Sequence, residues 1–279
     1  MGPTLVVKCG GHEAVDADAV CRDVAGLIRH GWRVVLVHGG SGEIERLAAR
    51  LGVPQRVQVA PDGVPSRYTD GPTLEVVTLA LAGSVKPGLV AALSRVGVRA
   101  VGLTGLDADL VTARRKAVQH ALVDGRRLLI RDNHAGTVQA VDAGLLRVLL
   151  GQELVPVLSP PARGGDGAPL NVNADRMAAA VAAALSAACL VFLTGASGLL
   201  RDPADESTVL AAAELDRTGP AAPGVGGGMA LKLIAAREAL LGGVGDVRIA
   251  DGRCSGPVTA ALAGAGTRAT LGHRAAALS

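Results

Sequence analysis

Lys8 stands just ahead of Gly10 and Gly11 at the end of the first apolar run, TLVVKCGG, and a second strand-like run, RVVLVHGG, ends at Gly39 and Gly40. Glycine lets the main chain approach an anion with no Cβ in the way, and successive N–H groups at a strand-to-helix turn form a positively polarised nest. Two such turns and one ammonium at the same end of a sheet suit phosphate. There is no GxxxxGK followed by Ser or Thr, and no GxGxxG with an acidic residue at the expected distance, so neither a P-loop nor a dinucleotide site is indicated.

Three more motifs belong with these turns. Asn171, Asn173 and Asp175 open a helix that Asn173 or Asp175 can cap. Thr194, Gly195, Ser197 and Gly198 end a strand and offer backbone donors. Gly226, Gly227 and Gly228 then precede Lys232, which sits in the apolar run MALKLIAA rather than on an evidently solvated face.

The elements that must position these groups alternate between strand and helix. Strands are expected at 4–8, 32–38, 99–103, 154–160, 189–194, 247–251 and 267–271. Helices are expected at 16–30, from a Ser41 cap to about 51, at 73–96 with a break at Pro87-Gly88, at 141–150, from the NVNAD motif to about 187, at 230–241 and at 256–263. The strands are nearly continuous Val and Leu, as a parallel sheet covered on both faces requires. The fold expected is a three-layer α/β/α sandwich around a largely parallel open sheet, in two lobes, 1–168 and 169–279, that meet near the glycine-rich ARGGDGAP. The apolar 73–96 helix could be core or a subunit interface. A hairpin turn is signalled at Asp124-Gly125, and the hairpin is read as bearing Arg114, Arg115, Lys116, Arg126, Arg127 and Arg131. The polar 201–223 stretch reads as irregular, and 272–279 as a loose tail.

Composition narrows the function. Of 279 residues 49% are hydrophobic, yet Phe192, Tyr68 and Trp32 are the only aromatics, so the core is aliphatic and stacking platforms for single-stranded nucleic acid are missing. The net charge of +3 (28 − 25) falls short of a nucleic-acid stripe, but suits an anionic ligand or an acidic partner. Cys9, Cys21, Cys189 and Cys254 show no paired spacing and read as reduced thiols. No basic leader and no charge-free apolar run of about 18 residues is found, the nearest approach being 177–200, so a cytoplasmic protein without membrane or nucleic-acid partners is expected.

Lys8-Cys-Gly10-Gly11, His38-Gly39-Gly40-Ser41, Ser66-Arg67-Tyr-Thr-Asp70, Gly102-Leu-Thr-Gly105-Leu-Asp107, Asn171-Val-Asn-Ala-Asp175 and Gly228-Met-Ala-Leu-Lys232 follow one another in the order seen in the amino acid kinase family. The chain resembles that family over residues 4 to about 271, and most of all its acetylglutamate kinase branch. Acetylglutamate kinases usually carry a lysine where this chain has Leu106, and lack the Arg114-Arg115-Lys116 run and the Ser159-Pro160-Pro161-Ala162 segment. Those features are similar to kinases acting on aminoadipate or glutamate attached to a small acidic amino-group carrier protein.

The resemblance implies transfer of the γ-phosphoryl group of ATP to a side-chain carboxylate, giving an acyl phosphate. Lys8 would bridge the γ-phosphoryl, Lys232 the ATP side, and Asp175 would hold the two lysines in register. Gly10, Gly11, Gly39 and Gly40 would donate to the transferred phosphoryl. Gly39, Gly40, Ser41, Arg67 and Asn171 would hold the acceptor, with Arg67 on its α-carboxylate. Thr194, Ser197, Gly198, Gly227 and Gly228 would bind nucleotide, and Arg114, Arg115 and Lys116 the carrier. The N-terminal lobe would then take the acceptor and the C-terminal lobe the nucleotide, with Mg²⁺ held mainly by phosphates, no metal ligand supplied by the chain, and a homodimer formed through 73–96. At Gly195 the family commonly has Asp or Asn. Two alternatives stand beside this reading: an acetylglutamate kinase of arginine synthesis, and a catalytically idle nucleotide or amino-acid sensor.

Overall fold

The computed structural model describes residues 2–10, 15–59, 65–115, 119–123, 126–130, 132–218 and 225–272. Gly11, Lys116, the Asp124-Gly125 turn and Arg131 lie outside them. The first half runs β1 (Thr4–Cys9), α1 (Ala17–Arg29), β2 (Arg33–His38), α2 (Ser41–Leu51), β3 (Arg56–Val59), β4 (Pro65–Tyr68), α3 (Gly71–Thr78), a π-helical stretch Leu79–Val85, α4 (Lys86–Arg95), β5 (Ala100–Gly105), β6 (Val111–Arg115), β7 (Gln119–Val123), β8 (Arg126–Ile130) and β9 (Gly136–Val141). It continues through α5 (Gly144–Gly151), β10 (Val155–Gly164), β11 (Pro169–Leu170), α6 (Ala174–Ala184), β12 (Cys189–Thr194), β13 (Ala212–Leu215), α7 (Gly227–Leu241), β14 (Asp246–Asp251), α8 (Pro257–Leu262) and β15 (Thr267–Leu271).

One eleven-stranded sheet is ordered β13-β15-β14-β12-β1-β2-β10-β6-β9, with β5 and β11 also paired to β10. The centre is parallel: Lys8 stands level with Phe192 of β12 and Val37 of β2. Antiparallel pairs occur at β14–β15, β6–β9 and β10–β11. All six residues of β1 are buried, because helices cover both faces. One face packs Leu5, Val7 and Leu193 against Val24, Leu93 and Val258 of α1, α4 and α8. The other packs Val6, Phe192 and Ile249 against Leu146, Met177 and Leu233 of α5, α6 and α7. Since successive strand side chains alternate in direction, Lys8 shares the α6–α7 face with Val6.

Several expectations change. Ser41 is the first residue of α2, and the cap is Gly40, with no side-chain cap bond. The irregular stretch of the long helix lies at Leu79–Val85, ahead of Pro87, which sits in the first turn of α4. A proline there has no N–H to donate and crowds the carbonyl four residues back, at position 83, and the widened π turn absorbs both. Among the described residues this helix, Gly71–Arg95, and not the 177–200 stretch, is the one long and apolar enough to cross a membrane by length and composition; its mean hydropathy reaches 1.7 over an 18-residue window. Val76, Val77, Ala80 and Leu81 form a core cluster with Ile44 and Ala48 of α2. Arg114 and Arg115 end β6 in the main sheet and are not on the hairpin, whose arms are β7 and β8, with Arg126 and Arg127 on β8. Buried Val111 and Ala113 and pairing with β9 draw β6 into the main sheet. The hairpin belongs to a second, antiparallel sheet, β4-β3-β7-β8. The 201–223 stretch contributes the edge strand β13, parallel to β15. The glycine-rich stretch is the tight turn from β10 into β11, where Gly167 N donates to Gly164 O at 2.9 Å. The four cysteines are free thiols, Cys254 alone being exposed.

Phe192 is the largest fully buried side chain and the only phenylalanine. With an aliphatic core around it that cannot collapse without moving strands, Phe192→Ala is expected to lower the unfolding free energy by about 3–5 kcal/mol, measured by urea denaturation.

Candidate active site

Parity along β1 aims Lys8 at the N-terminal turn of α6, where Asp175 is buried. Lys8 Nζ lies 2.8 Å from Asp175 Oδ1 and Lys232 Nζ lies 3.7 Å from Oδ2. The first contact is an ion pair and not an aligned hydrogen bond, since Oδ1 has no donor of standard geometry among the described residues. Burial works to raise the Asp175 carboxyl, and the two ammoniums more than offset it, leaving its pKa below the usual carboxylate value. Burial pushes the Lys232 ammonium the other way, below its ordinary pKa, against the pull of Asp175. The sequence leaves open which residue caps α6; it is Asn173, whose Oδ1 accepts from Arg176 N at 3.0 Å, and this frees Asp175 for the lysines.

A cavity of about 990 Å³ opens over this triad. Gly10, Gly39, Gly40 and Ser41 line it from the ends of β1 and β2; Arg67 and Asn171 line it beside β4 and β11; Thr194, Gly195, Gly227 and Gly228 line it from the end of β12 and the start of α7. A Cβ on Gly10 would lie 2.9 Å from the Leu193 carbonyl oxygen and 3.0 Å from Val15, so the close approach of these segments requires glycine there. Gly227 has φ +61 and nothing within 4 Å of a notional Cβ, which leaves the first turn of α7 as bare backbone facing the cavity. Helix N-termini of this kind attract phosphate.

Cations outnumber carboxylates on the lining: Lys8, Arg67, Arg176, Lys232 and Arg237 against Asp175 and Glu238. Arg67 is largely buried, and burial lowers its pKa. Its guanidinium donates to Gln55 Oε1 and lies 3.7 Å from Glu45. Arg176 and Glu238, which carry no motif in the sequence, form a bidentate pair at 2.9 and 2.5 Å that ties α6 to α7, and so Asp175 to Lys232.

Some anticipated residues stand apart from this cavity. Ser197 N donates to Glu206 at 3.1 Å and its hydroxyl binds the same carboxylate, while Gly198 packs against Thr267 and Val209. Arg114 and Arg115 are exposed at the end of β6, with Arg115 Nη2 3.1 Å from His134 Nδ1. No cluster of three His, Cys, Asp or Glu side chains occurs among the described residues.

His38 supplies a further buried polar group beside the glycine turn. Its Nδ1 lies 2.9 Å from Gly39 O, and Nε2 has no partner among the described residues. Burial, above all, lowers its pKa to about 4. The unfolded chain takes up a proton near pH 6.5 and the folded chain does not, so stability is full above that pH and falls as the pH drops towards 4. His38→Gln is expected to flatten that fall by roughly 3 kcal/mol, as read from urea titrations at several pH values.

Known proteins resemble this chain along most of its length. The model of the amino acid kinase family matches residues 3–251. A [LysW]-aminoadipate kinase of Deinococcus radiodurans is 42% identical over 94% of this chain and 90% of its own length. An acetylglutamate kinase of Desulfitobacterium hafniense is 37% identical over 90% of this chain and 85% of its own. Among solved structures, an N-acetylglutamate synthase of Neisseria gonorrhoeae, complexed with coenzyme A and N-acetyl-glutamate, superposes with a TM-score of 0.76 at 27% identity; the match covers 98% of this chain and 60% of that one. A chain whose two lysines flank one buried carboxylate beneath paired glycine turns, and which matches the family across most of its length, belongs to the amino acid kinase family.

Proposed function

We propose that the protein moves the γ-phosphoryl group of ATP onto the side-chain carboxylate of 2-aminoadipate or glutamate attached to a small acidic amino-group carrier protein. The observation that carries the reading is the pairing of Lys8 and Lys232 on Asp175 at the floor of a cation-rich, glycine-lined cavity. A carboxylate with a pKa of about 4.3 is already ionised at neutral pH, so the acceptor needs no general base. What remains is to bring two anions together and to spread the charge of the transferring group over fixed donors.

An acceptor carboxylate oxygen forms its bond to the γ-phosphorus as the bond from that phosphorus to the bridging oxygen breaks, and the electron pair leaves with ADP. No proton moves. Lys8 and the N–H groups of Gly10 and Gly40 neutralise the transferring phosphoryl, joined by Gly39 N when it gives up its 3.4 Å bond to Cys9 O; Gly11, from the same sequence motif, lies outside the described residues. Lys232 and the first turn of α7, at Gly227 and Gly228, take the nucleotide phosphates, while Thr194 serves the nucleotide from the end of β12; Ser197 and Gly198, outside the cavity, reach it only if Ser197 leaves Glu206. Arg67 exchanges Gln55 and Glu45 for the acceptor's α-carboxylate, which a guanidinium grips bidentately, and Asn171 orients the same molecule. Mg²⁺ would add charge neutralisation from the nucleotide phosphates and water. Residues 1–168 form the acceptor half and 169–279 the nucleotide half. A second copy docks along 73–96, and the protein works in the cytoplasm.

The carrier enters through Arg114, Arg115 and Lys116, a basic run suited to an acidic partner. Similarity to [LysW]-aminoadipate kinase and the presence of Leu106 support the linked acceptor. Similarity to acetylglutamate kinases supports a second reading, phosphorylation of free N-acetylglutamate.

Hydroxylamine trapping of acyl phosphate, with ATP and Mg²⁺, separates the two. Product is expected from carrier-linked aminoadipate or glutamate and not from free N-acetylglutamate; the reverse result assigns the second reading, and none from any acceptor favours an idle sensor. In the same assay Lys8→Ala is expected to lose about 3–4 kcal/mol of transition-state stabilisation, roughly 10²–10³-fold in rate. Replacing Arg114 and Arg115 by Glu should raise KM for the linked acceptor in a salt-dependent way, and an unchanged KM would remove the carrier surface.

A further inference from the structure

Arg67 and Asn171 come from distant parts of the chain, and one hydroxyl joins them. Thr69 is fully buried; its Oγ1 donates to the Arg67 carbonyl at 3.2 Å and accepts from Asn171 Nδ2 at 3.1 Å. Asn133, also buried, holds the same residue by its main chain: Oδ1 accepts from Thr69 N at 3.2 Å and from Ala135 N at 3.0 Å. Asn133 Nδ2 donates to buried Gln58 Oε1 at 3.2 Å, and Gln58 Nε2 donates in turn to Ser66 Oγ at 3.2 Å.

Main-chain bonds close the knot. His134 N donates to Thr69 O at 2.7 Å, Asn171 N to His134 O at 2.9 Å, and Gly136 N to Asn171 O at 2.8 Å. Residues 132–136 lead from β8 of the hairpin sheet into β9 of the main sheet. They are therefore the joint between two sheets, and both acceptor residues are bonded to that joint or to Thr69. Buried polar groups that lose a partner lose a full desolvation cost, which makes such a network two-valued: intact or broken.

We propose that Thr69 is a positioning residue for the acceptor, setting the spacing of Arg67 and Asn171, and that Asn133 anchors Thr69 to the joint between the two sheets. Neither side chain lines the cavity; both act through the residues that do. The proposal rests on the acceptor roles given above to Arg67 and Asn171.

Thr69→Val keeps the shape and removes the hydroxyl; Thr69→Ser keeps the hydroxyl. With whichever acceptor the wild type phosphorylates, Thr69→Val is expected to raise the acceptor KM about tenfold, the size set by buried hydrogen bonds, while the KM for ATP stays within about twofold and Thr69→Ser restores the wild-type value. Amide hydrogen exchange without substrate gives an independent readout: residues 66–70 and 170–173 are expected to exchange at least about fivefold faster in Thr69→Val and normally in Thr69→Ser. An unchanged acceptor KM, or KM values for acceptor and ATP that rise together, overturns the proposal, as does unchanged exchange. If the wild type acts on no acceptor, the functional reading fails and the exchange result alone decides the network. Should Thr69→Val not fold, Thr69→Cys, with its weak S–H donor, must show the same pattern at smaller size, or the proposal falls.

Discussion

One buried carboxylate held between two lysines is the interaction around which this molecule is arranged. Asp175 can stay ionised out of water only because Lys8 and Lys232 approach from a strand and a helix that are far apart in sequence. An isolated buried charge is costly, and removing one partner of a buried pair leaves the other uncompensated. The triad therefore fixes β1, α6 and α7 relative to one another at the place where negative charge must be gathered. The lysines keep a net positive charge between them after Asp175 is counted, and that surplus faces the cavity.

The rest of the scaffold serves that placement. The parallel centre of the sheet brings the ends of β1, β2 and β12 to one edge, so their glycine turns open onto a shared cavity. The Arg176–Glu238 pair holds α6 against α7. Elsewhere on the lining, a buried polar network ties the small antiparallel sheet to Arg67 and Asn171. The lysine–carboxylate cluster and the spacing of Arg67 and Asn171 are thus held by different parts of the fold, the first by ion pairs and the second by neutral hydrogen bonds. Neutral bonds are directional and short in range, which suits setting a spacing; ion pairs tolerate the small movements that a phosphoryl transfer requires.

Much of the central sheet was legible in the sequence, and for a physical reason. Strands β1, β2 and β12 were legible to within one residue because buried parallel strands are nearly unbroken apolar runs bounded by glycine turns; β14 and β15, which carry Arg, Asp and Thr, were legible to within one residue from the turns that bound them. The short strands β3, β4, β9, β11 and β13 were not anticipated. They are half exposed or at edges, carry Arg, Gln, Ser and Pro among their residues, and are held by pairing with distant segments and not by a pattern of their own. Arg114 and Arg115 were assigned to the hairpin for the same reason: nothing local distinguishes a strand that joins one sheet from a strand that joins another.

The family, the parallel α/β centre and most of the residues that line the cavity were legible along the chain, since Lys8, Gly39, Gly40, Arg67, Asn171, Asp175 and Lys232 each sit in an ordered motif. Only the tertiary structure decided that Asn173 caps α6 and leaves Asp175 to the lysines, that Arg176 and Glu238 pair across two helices, and that Thr69 and Asn133 join Arg67 to Asn171. Motifs record what one segment must be to meet a ligand or make a turn. Buried contacts between segments depend on which elements the fold brings within about 3 Å of one another, and that distance is set by the packing of the whole sheet and its helices.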